Sequence, residues 1–348
     1  MQRTYVLDQY QSFIKRKWVS LILTFFLLAL SIGVSVSIGS YNLSIIDVYS
    51  IIIKGIVSTS DTPIDLIIWN NRLPRIMMAV GAGVGLGIAG AVMQAILKNP
   101  LASPFTLGIA SAASFGASLA IILGAGIIGG SLLIVCNAFI FTLVASFIIY
   151  ILASLKGFTS GVMIMAGIAV MYLFSALTTF IQYMGSADAV QQVVFWTMGS
   201  LGKSTWNTVI IVFSVLIITI PWFMYRSFDL NILGSGDELA VSMGVHVRRI
   251  RAIGMALTSF ITAGIISFTG TIGFIGLIAP HMSRSVIGGD HRFLIPLSGL
   301  IGAIILVLAD AASRIILAPQ VIPVGVMTAF LGVPFFIFLF MKQKGDIW

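Results

Sequence analysis

Apolar stretches of about twenty residues recur along almost the whole chain, and they constrain its fold more than any other feature. At a helical rise of 1.5 Å per residue, about twenty residues cross a hydrocarbon core about 30 Å thick. Hydrophobic residues make up 59% of the 348 positions and charged residues only 9%, whereas a soluble domain carries about a quarter charged residues. Because a soluble fold of this length cannot bury so much apolar surface, the sequence predicts an all-α integral membrane protein.

Hydropathy and helix-breaking residues divide the chain into about ten predicted transmembrane helices. The first, Trp18–Ile38, is too long to be only a signal peptide and lacks a small-residue cleavage site, so we expect it to be retained. The predicted spans are 18–40, 74–97, 105–124, 132–153, 161–184, 206–225, 250–268, 271–288, 293–313 and 322–341. They occupy most of residues 1–348, which we therefore expect to form one transmembrane domain.

Basic residues are divided unequally between the two sides of the predicted membrane. With the N-terminus inside, the inner side receives fourteen of the 19 lysine and arginine residues, which favours both termini in the cytoplasm and makes residues 1–17 a cytoplasmic segment. The fourteen are Arg3, Lys15, Arg16, Lys17, Lys98, Lys156, Arg226, Arg248, Arg249, Arg251, Arg284, Arg292, Lys342 and Lys344. The outer side receives Lys54, Arg72, Arg75, Lys203 and Arg314.

Three of the five outer basic residues, Arg72, Arg75 and Arg314, lie at predicted helix ends on the side where basic residues are disfavoured. An acidic partner outside the membrane would explain them. Two alternatives are equally open: the side chains reach to the lipid headgroups, or Arg314 forms a helical i,i+4 pair with Asp310.

A weak internal repeat involves the same arginines. Arg72-Leu-Pro-Arg75 opens one predicted span, and Arg248-Arg-Ile-Arg251 opens another that enters from the opposite side. Two units of inverted topology, an arrangement common in transport proteins, would account for this, and so would chance similarity between short basic motifs.

Two glycine-containing motifs suggest nucleotide binding but lie in the wrong context. Gly85-Leu-Gly-Ile-Ala-Gly90 fits a dinucleotide fingerprint, yet it lies in the middle of a span, where small residues allow close helix packing. Gly202-Lys-Ser204 resembles the end of a phosphate-binding loop, but Thr197 stands where that loop needs a glycine. We therefore expect no bound nucleotide and no cofactor, and ATP hydrolysis, if it drives the protein, must come from a separate subunit.

Metal-binding, catalytic and nucleic-acid-binding patterns are also missing from the sequence. His246, His281 and His291 have no second ligand at metal-binding spacing, and Cys136 stands alone in an apolar run. The basic residues that give the net charge of +8 lie in short clusters at helix ends rather than along one face, which argues against a nucleic-acid-binding site. Asp310 is the only acidic residue deep in a late span, and ion-coupled carriers usually keep ionisable groups there. A secondary carrier is thereby disfavoured, as is a membrane enzyme that uses His281 or Asp310.

The most polar internal segment runs from Arg226 to Arg251. We expect a short helix at Asp237–Met243, ended by Gly244, with acidic residues in its first turn as the helix dipole favours. A short capped helix of mixed charge on the cytoplasmic side suits docking of a soluble partner. The alternative is a merely solvated loop.

Seven motifs, in this order along the chain from residue 72 onward, resemble the FecCD family of permeases, which serve importers of ferric siderophores, haem and cobalamin. They are Arg72-Leu-Pro-Arg75, Gly90-Ala-Val-Met-Gln94, Asn99-Pro-Leu-Ala102, Leu107-Gly-Ile-Ala110, Gly273-Phe-Ile-Gly-Leu-Ile-Ala-Pro-His281, Asp290-His-Arg292 and Pro323-Val-Gly325. The resemblance implies the fold of type II ABC importer permeases, with about ten transmembrane helices and cytoplasmic coupling helices.

The same resemblance implies an assembly in the plasma or inner membrane. Two such permeases, as a homodimer or with a similar permease, would be surrounded by lipid, with two ATP-binding subunits below and an extracytoplasmic substrate-binding protein above. The chain itself would be a transport subunit and no enzyme. Its cargo would be a ferric siderophore first, with haem or a corrinoid such as cobalamin as alternatives.

Specific residues match positions to which the family assigns roles. Within the coupling segment 229–249, the residues that would contact an ATP-binding subunit are Leu233, Gly234, Glu238, Ala240, Gly244 and Val245. The outer arginines Arg72, Arg75 and Arg314 would receive acidic residues of the binding protein. Asn99, Leu101, Thr159 and Ser160 would form the cytoplasmic gate, although Thr159 and Ser160 also suit ordinary helix capping.

Overall fold

The computed structural model describes residues 2–38, 44–57, 62–126 and 128–342, and in this part of the chain all regular secondary structure is helical. The helices are α1 Gln2–Ser37, α2 Ile45–Val57, α3 Pro63–Ile67, α4 Leu73–Leu97, α5 Ile109–Leu123, α6 Leu133–Lys156, α7 Ser160–Met184, α8 Ala187–Thr197, α9 Trp206–Tyr225, α10 Ser227–Gly234, α11 Asp237–Ser242, α12 Val247–Thr269, α13 Ile275–Ile287, α14 His291–Ile315 and α15 Val324–Lys342. A π-helical turn at Ile68–Arg72 makes α3 and α4 continuous.

Each of the ten predicted spans corresponds to one helix of the structure. Seven segments of the described chain are long and apolar enough to cross a membrane: Ile14–Ser37, Pro63–Leu97, Leu133–Lys156, Ser160–Met184, Trp206–Tyr225, Val247–Thr269 and His291–Ile315. Ile109–Leu123 and Val324–Phe338 are shorter apolar helices, and the predicted span 271–288 is helical only from Ile275. The predicted all-helical architecture of about ten spans is confirmed, whereas α2, α3 and α10 were not expected from the sequence.

Helix α4 lies at the centre of the fold and is buried along nearly its whole length. It packs against α9, α12, α13 and α14. A side chain at Gly83 or Gly87 would collide with the backbone of α14, and one at Gly90 with the backbone of α13. The glycine motif therefore serves close helix packing, as its position in mid-span predicts.

A second group consists of α5, α6 and α7, which pack against one another through large aromatic side chains. Phe115 of α5 contacts Phe141 of α6 edge to face, with 4.8 Å between ring centroids, and also lies 5.6 Å from the ring of Phe174 of α7. This group meets the α4 group mainly where α6 packs on α12.

Helix α8 and the irregular segment before α13 close one end of the bundle. Ser186 caps α8 by accepting a hydrogen bond from the Ala189 amide. The end of α8 is bonded to its neighbours, because the Ser200 amide donates to the Thr269 carbonyl at 2.7 Å and the Gly325 amide to the Met198 carbonyl at 3.1 Å.

Candidate functional site

The polar segment between α9 and α12 folds into two short helices, α10 and α11. Helix α11 begins at Asp237, directly after Gly236 at φ 130°, and ends before Gly244 at φ 83°. Both glycines have backbone angles that other residues adopt only with strain. The acidic residues Asp237 and Glu238 lie in the first turn, where the helix dipole favours negative charge. The predicted short capped helix is therefore confirmed.

The six residues expected to contact an ATP-binding subunit divide into buried and exposed sets. Leu233, Ala240 and Val245 are buried and anchor α10 and α11 to the bundle, whereas Gly234, Glu238 and Gly244 are exposed. The exposed face of α11 is more apolar than the prediction assumed, because Leu239, Val241 and Met243 all point into solvent. A short helix with exposed apolar side chains is typical of a surface that binds a protein partner.

Arg251, in the first turn of α12, connects α11 to two other segments. Its guanidinium forms a bidentate ion pair with Asp237, Nη1 to Oδ2 at 2.7 Å and Nη2 to Oδ1 at 3.0 Å. The same group donates to the Ile96 carbonyl in the last turn of α4 at 2.8 Å and to the Phe158 carbonyl in the α6–α7 loop at 2.7 Å. Arg251 is only 1% exposed. Its fixed fork of donors joins three separate chain segments.

Lys98 adds a second cation to this Arg251 cluster, which we define as Lys98, Asp237 and Arg251. Lys98 Nζ lies 2.5 Å from Asp237 Oδ1, and Lys98 ends α4 in a left-handed conformation at φ 48°. Partial burial raises the pKa of Asp237, but hydrogen bonds and charge from Arg251 and Lys98 outweigh it and hold that pKa below its ordinary value. The carboxylate therefore stays ionised at neutral pH.

The four predicted gate residues lie directly beside this cluster. Asn99 and Leu101 follow Lys98, and the Asn99 side chain accepts a hydrogen bond from the Leu101 amide at 2.9 Å. Thr159 caps α7 by accepting from the Val162 amide at 3.3 Å, and Ser160 Oγ lies 3.4 Å from Arg251 Nη2. The capping alternative thus describes the geometry of Thr159. Arg251 nevertheless brings both gate segments into contact with α11.

The three outer arginines come together at the opposite end of α4. Arg75 donates from Nε to Asp310 Oδ1 at 2.9 Å, and Arg314 Nε lies 3.2 Å from Asp310 Oδ2. Asp310 is fully buried. The i,i+4 pair between Asp310 and Arg314 is therefore present, as one of the alternatives from the sequence predicts.

Arg72 and Arg314 also bind the end of α1. Arg72 Nη1 donates to the Val36 carbonyl at 2.7 Å, and Arg314 Nη1 donates to the Ile38 carbonyl at 2.8 Å. The last carbonyls of a helix lack intrahelical partners, and cations are favoured there. We define the Asp310 cluster as Arg72, Arg75, Asp310 and Arg314; within it, Arg75 and Arg314 both contact the Asp310 carboxylate.

A cleft of about 580 Å³ opens beside the Asp310 cluster. Arg75 lines it together with exposed Lys203 and the start of α15 at Val324. The cations in this cleft face a space large enough for side chains from another protein.

The sequence did not single out Asp237, Arg251 and Lys98 as a connected group. The sequence identified Arg251 only as part of a basic motif at the start of a span, and Lys98 only as one of the basic residues that favour a cytoplasmic N-terminus. A usable signal exists in α12, since Arg251 shares its face with Gly254, Met255 and Thr258, all buried. The spacing of these four residues places Arg251 on the buried face of the helix. A buried arginine needs polar partners inside the fold.

The histidines are separated in the structure. His291 at the start of α14 lies against Asn231, with 2.7 Å between Nδ1 and the Asn231 side-chain oxygen, and His281 packs against Phe335. Among the residues that the structure describes, no group of three or more His, Cys, Asp or Glu side chains could hold a metal ion.

Comparison with known proteins gives consistent matches over almost the whole chain. The sequence matches the FecCD transport family over residues 27–342. It is 42% identical over 345 residues to a Methanocaldococcus jannaschii protein named as an ABC transporter permease protein, which covers 97% of this chain and 98% of that protein. It is 35% identical over 327 residues to the hemin transport system permease protein of Yersinia pestis, which covers 93% of this chain and 96% of that protein.

A solved structure has the same fold. It is described as an inward-facing conformation of a metal-chelate type ABC transporter, with a TM-score of 0.82 and 29% identity over 93% of this chain and 99% of that chain. The substrates in the names of relatives differ, since they include hemin, cobalamin and iron(3+)-hydroxamate.

Proposed function

The chain belongs to the FecCD transport family, and from that premise we propose that it forms the membrane path of an importer for a bulky ferric chelate. It is a permease of a metal-chelate type ABC importer, a multi-pass membrane protein and a transport component rather than an enzyme. Ferric siderophore is the first choice of cargo because several relatives carry iron in their names. Haem and cobalamin are the alternatives, again from the names of relatives.

The observation that carries the proposal is the contact of α11 with both predicted gate segments through Arg251. In the proposed mechanism, α10 and α11 face the cytoplasm and dock on a separate ATP-binding subunit. The exposed side chains Leu239, Val241 and Met243 supply apolar contact area, and Glu238 and Gly244 border it. When the ATP-binding subunit moves α11, Asp237 moves with it.

Motion of Asp237 would reach the gate along two hydrogen-bonded routes. One runs through Lys98 and Arg251 to the last turn of α4 and so to Asn99 and Leu101. The other runs through Arg251 to the Phe158 carbonyl and so to Thr159 and Ser160. Because one buried guanidinium serves both routes, motion of α11 reaches both gate segments at the same time.

At the other end, we propose that the Asp310 cluster and its cleft receive acidic side chains of an extracytoplasmic substrate-binding protein. Arg75 and Arg314 both contact the single carboxylate of Asp310, and this supports an acidic partner. Individual exposed ion pairs contribute about 0–1 kcal/mol, but several together steer association. A second permease copy completes the path in this proposal, as a homodimer or with a similar permease.

Transport coupling tests the proposal directly. The complete importer, reconstituted with its ATP-binding subunits and binding protein, is compared with a Glu238→Ala, Gly244→Val double variant. We expect ATP hydrolysis to persist while chelate uptake per ATP falls about tenfold, because α11 no longer seats correctly. A Lys156→Ala variant, altered at another exposed helix end, is the matched control. Unchanged uptake per ATP in the double variant would overturn the role of α11.

A second experiment separates the importer from an ion-coupled carrier. The purified chain alone, placed in vesicles with a proton or sodium gradient, should show no uptake of a ferric hydroxamate. Uptake driven by the gradient without any ATP-binding subunit would refute the proposal.

Docking is tested by charge reversal at the outer end. Arg72 and Arg314 hold the end of α1, so their reversal also tests folding; Lys203→Glu changes the cleft without breaking an internal contact described above. We expect Lys203→Glu to weaken capture of the binding protein at low salt, with a smaller effect at high salt. Lys54→Glu, on the same predicted side, is the control. Equal affinity for all three proteins at low salt would contradict docking at this cleft.

A further inference from the structure

A large open cavity lies between α6 and α12 on the same side of the bundle as the Arg251 cluster. Its volume is about 1230 Å³. Its walls within the bundle are apolar: Tyr150 on α6 faces Ala252, Ile253, Ala256 and Leu257 on α12. An open apolar cavity between two transmembrane helices suits a hydrocarbon chain.

Cations line the mouth of this cavity. Arg248 and Arg249 are exposed there, beside exposed His246. Within the described part of the chain neither arginine forms an ion pair, and the Arg248 guanidinium lies over the ring of Phe158 at 5.3 Å from its centroid. The acidic residue at the mouth, Asp237, is already neutralised by Arg251 and Lys98. The mouth therefore has an uncompensated positive charge.

The depth of the cavity corresponds to one leaflet of a bilayer. One turn beyond Leu257, the last residue of α12 that lines the cavity, Phe139 of α6 contacts Phe260 of α12 edge to face, with 5.8 Å between ring centroids. Beyond that contact a separate cavity of about 330 Å³ begins, lined in part by Phe139, Phe260 and Phe268. From Arg248 to Leu257, which both line the cavity, the helix rises about 14 Å, and half of a hydrocarbon core measures about 15 Å.

We propose that this cavity is a binding site for an anionic phospholipid, with the phosphate at Arg248 and Arg249 and one acyl chain between α6 and α12. The charge at the mouth, the apolar walls and the depth of one leaflet each match a different part of that ligand. Basic pockets between transmembrane helices bind acidic headgroups for the same reasons. The bound lipid borders Asp237 and Thr159, so it contacts the segments that link α11 to the gate.

The test counts phospholipids retained by the purified full-length chain in native mass spectrometry. The chain is extracted from vesicles of equal phosphatidylglycerol and phosphatidylcholine, and the retained molecules are compared. We expect the wild-type chain to keep phosphatidylglycerol preferentially, and the Arg248→Gln, Arg249→Gln double variant to lose that preference at least fivefold. The matched control is Lys15→Gln, Arg16→Gln, which removes two exposed charges from α1.

A second variant tests the acyl-chain wall without any change of charge. Ala256→Trp fills part of the cavity between α6 and α12, whereas Ala169→Trp places the same ring at an exposed position of α7. We expect only Ala256→Trp to release phosphatidylglycerol. Equal retention by both tryptophan variants and the wild-type chain would overturn the proposal.

Competition distinguishes a lipid from a free phosphate. Inorganic phosphate at millimolar concentration should not displace phosphatidylglycerol, because it gains nothing from the apolar walls. Displacement by phosphate alone, or equal retention by the Arg248→Gln, Arg249→Gln variant and its control, contradicts a phospholipid site here.

Discussion

The two ends of α4 each carry a charge cluster built around arginine, but the buried partner differs. At the Asp310 cluster the carboxylate is fully buried, while the side chains of Arg75 and Arg314, which contact it, are 19% and 12% exposed. At the Arg251 cluster the arginine is buried to 1% exposure, while the Asp237 side chain is 39% exposed. One cluster is organised around a fixed anion, and the other around a fixed cation.

This difference indicates which cluster can transmit motion. Asp310 lies within the long helix α14, and its arginines also hold the end of α1, so that end is locked by several elements at once. Asp237 lies on a helix of six residues between two glycines, and its carboxylate is 39% exposed, so water can replace Arg251 as its partner when α11 moves. These contacts predict that the Asp310 end stabilises the fold, whereas the Arg251 end connects α11 to the predicted gate segments.

Replacing Arg251 by leucine should have the largest effect. The change leaves the Ile96 and Phe158 carbonyls without their donor and disconnects α11, so we expect chelate uptake to fall about 100-fold and the free energy of unfolding to fall by about 3 kcal/mol. Uptake by the reconstituted importer and thermal unfolding of the purified chain measure the two effects. Arg251→Lys keeps the charge but loses the fork, so it should restore stability more than uptake. Normal chelate uptake by the Arg251→Leu importer would contradict the role of the Arg251 cluster in transmitting motion.

Asp310→Asn should act mainly on stability. Removal of the buried charge leaves two guanidinium groups without their anion. We therefore expect the free energy of unfolding to fall by about 2 kcal/mol, a factor of about 30 in the unfolding equilibrium constant. Thermal unfolding in detergent measures this. Uptake per ATP by the folded fraction should match the wild type. A fall in that ratio would show that the Asp310 end also transmits motion.

Asp237→Asn should have the converse result. The carboxylate is more than a third exposed, so its ion pairs contribute little stability, about 0–1 kcal/mol. The contact with Arg251 weakens, and we expect uptake per ATP to fall about tenfold with ATP hydrolysis retained, since one charge-assisted bidentate contact is lost. Asp229→Asn, which alters a neighbouring pair with Arg226 on α10, is the control. A loss of stability without a loss of coupling would reverse the roles of the two clusters.

Gly244→Ala should give a smaller change of the same kind. Gly244 has φ 83°, so alanine there costs about 1 kcal/mol and shifts the end of α11. We expect uptake per ATP to fall about fivefold. Gly289→Ala is the control, since Gly289 has neither a left-handed backbone nor a close neighbour. Equal uptake in both variants would remove Gly244 from the account of coupling.

The pH dependence of coupling should be the weakest effect. A carboxylate whose pKa is lowered in the folded state stabilises the fold above its ordinary pKa, and that contribution disappears as pH falls through the lowered value. The pKa of Asp237 is lowered from 3.8, so its contact with Arg251 should persist at every pH above that. We expect the ratio of uptake per ATP between Asp237→Asn and wild type to be the same at about pH 8 and about pH 5. If uptake per ATP by the wild type fell to that of Asp237→Asn at the lower pH, Asp237 would become protonated between these two pH values, contrary to the prediction.

Sequence patterns determined most of the architecture because membrane spans depend on a strong, local physical signal. All ten predicted spans correspond to helices, and the capped helix at Asp237 follows from its flanking glycines and first-turn acids. Helices α2 and α3 were missed because α2 is only thirteen residues long and α3 only five, too short for a span.

The site was less predictable because its contacts join segments far apart in sequence. Arg251 lies 155 positions from Ile96 and 93 from Phe158, and no local pattern specifies those partners. At the other end the sequence left three explanations of Arg314 open: an acidic partner, the lipid headgroups and a helical pair with Asp310. The structure contains its pair with Asp310, and docking of a binding protein stays a prediction.

The glycines of α4 have a consequence for how this protein can change shape. Where backbone touches backbone, no side chains remain that could change rotamer and let one helix slide past another. Helices α4, α13 and α14 must therefore travel as one rigid block during the transport cycle. The α5–α7 group, attached to that block mainly through the contact of α6 with α12, is where the protein can hinge.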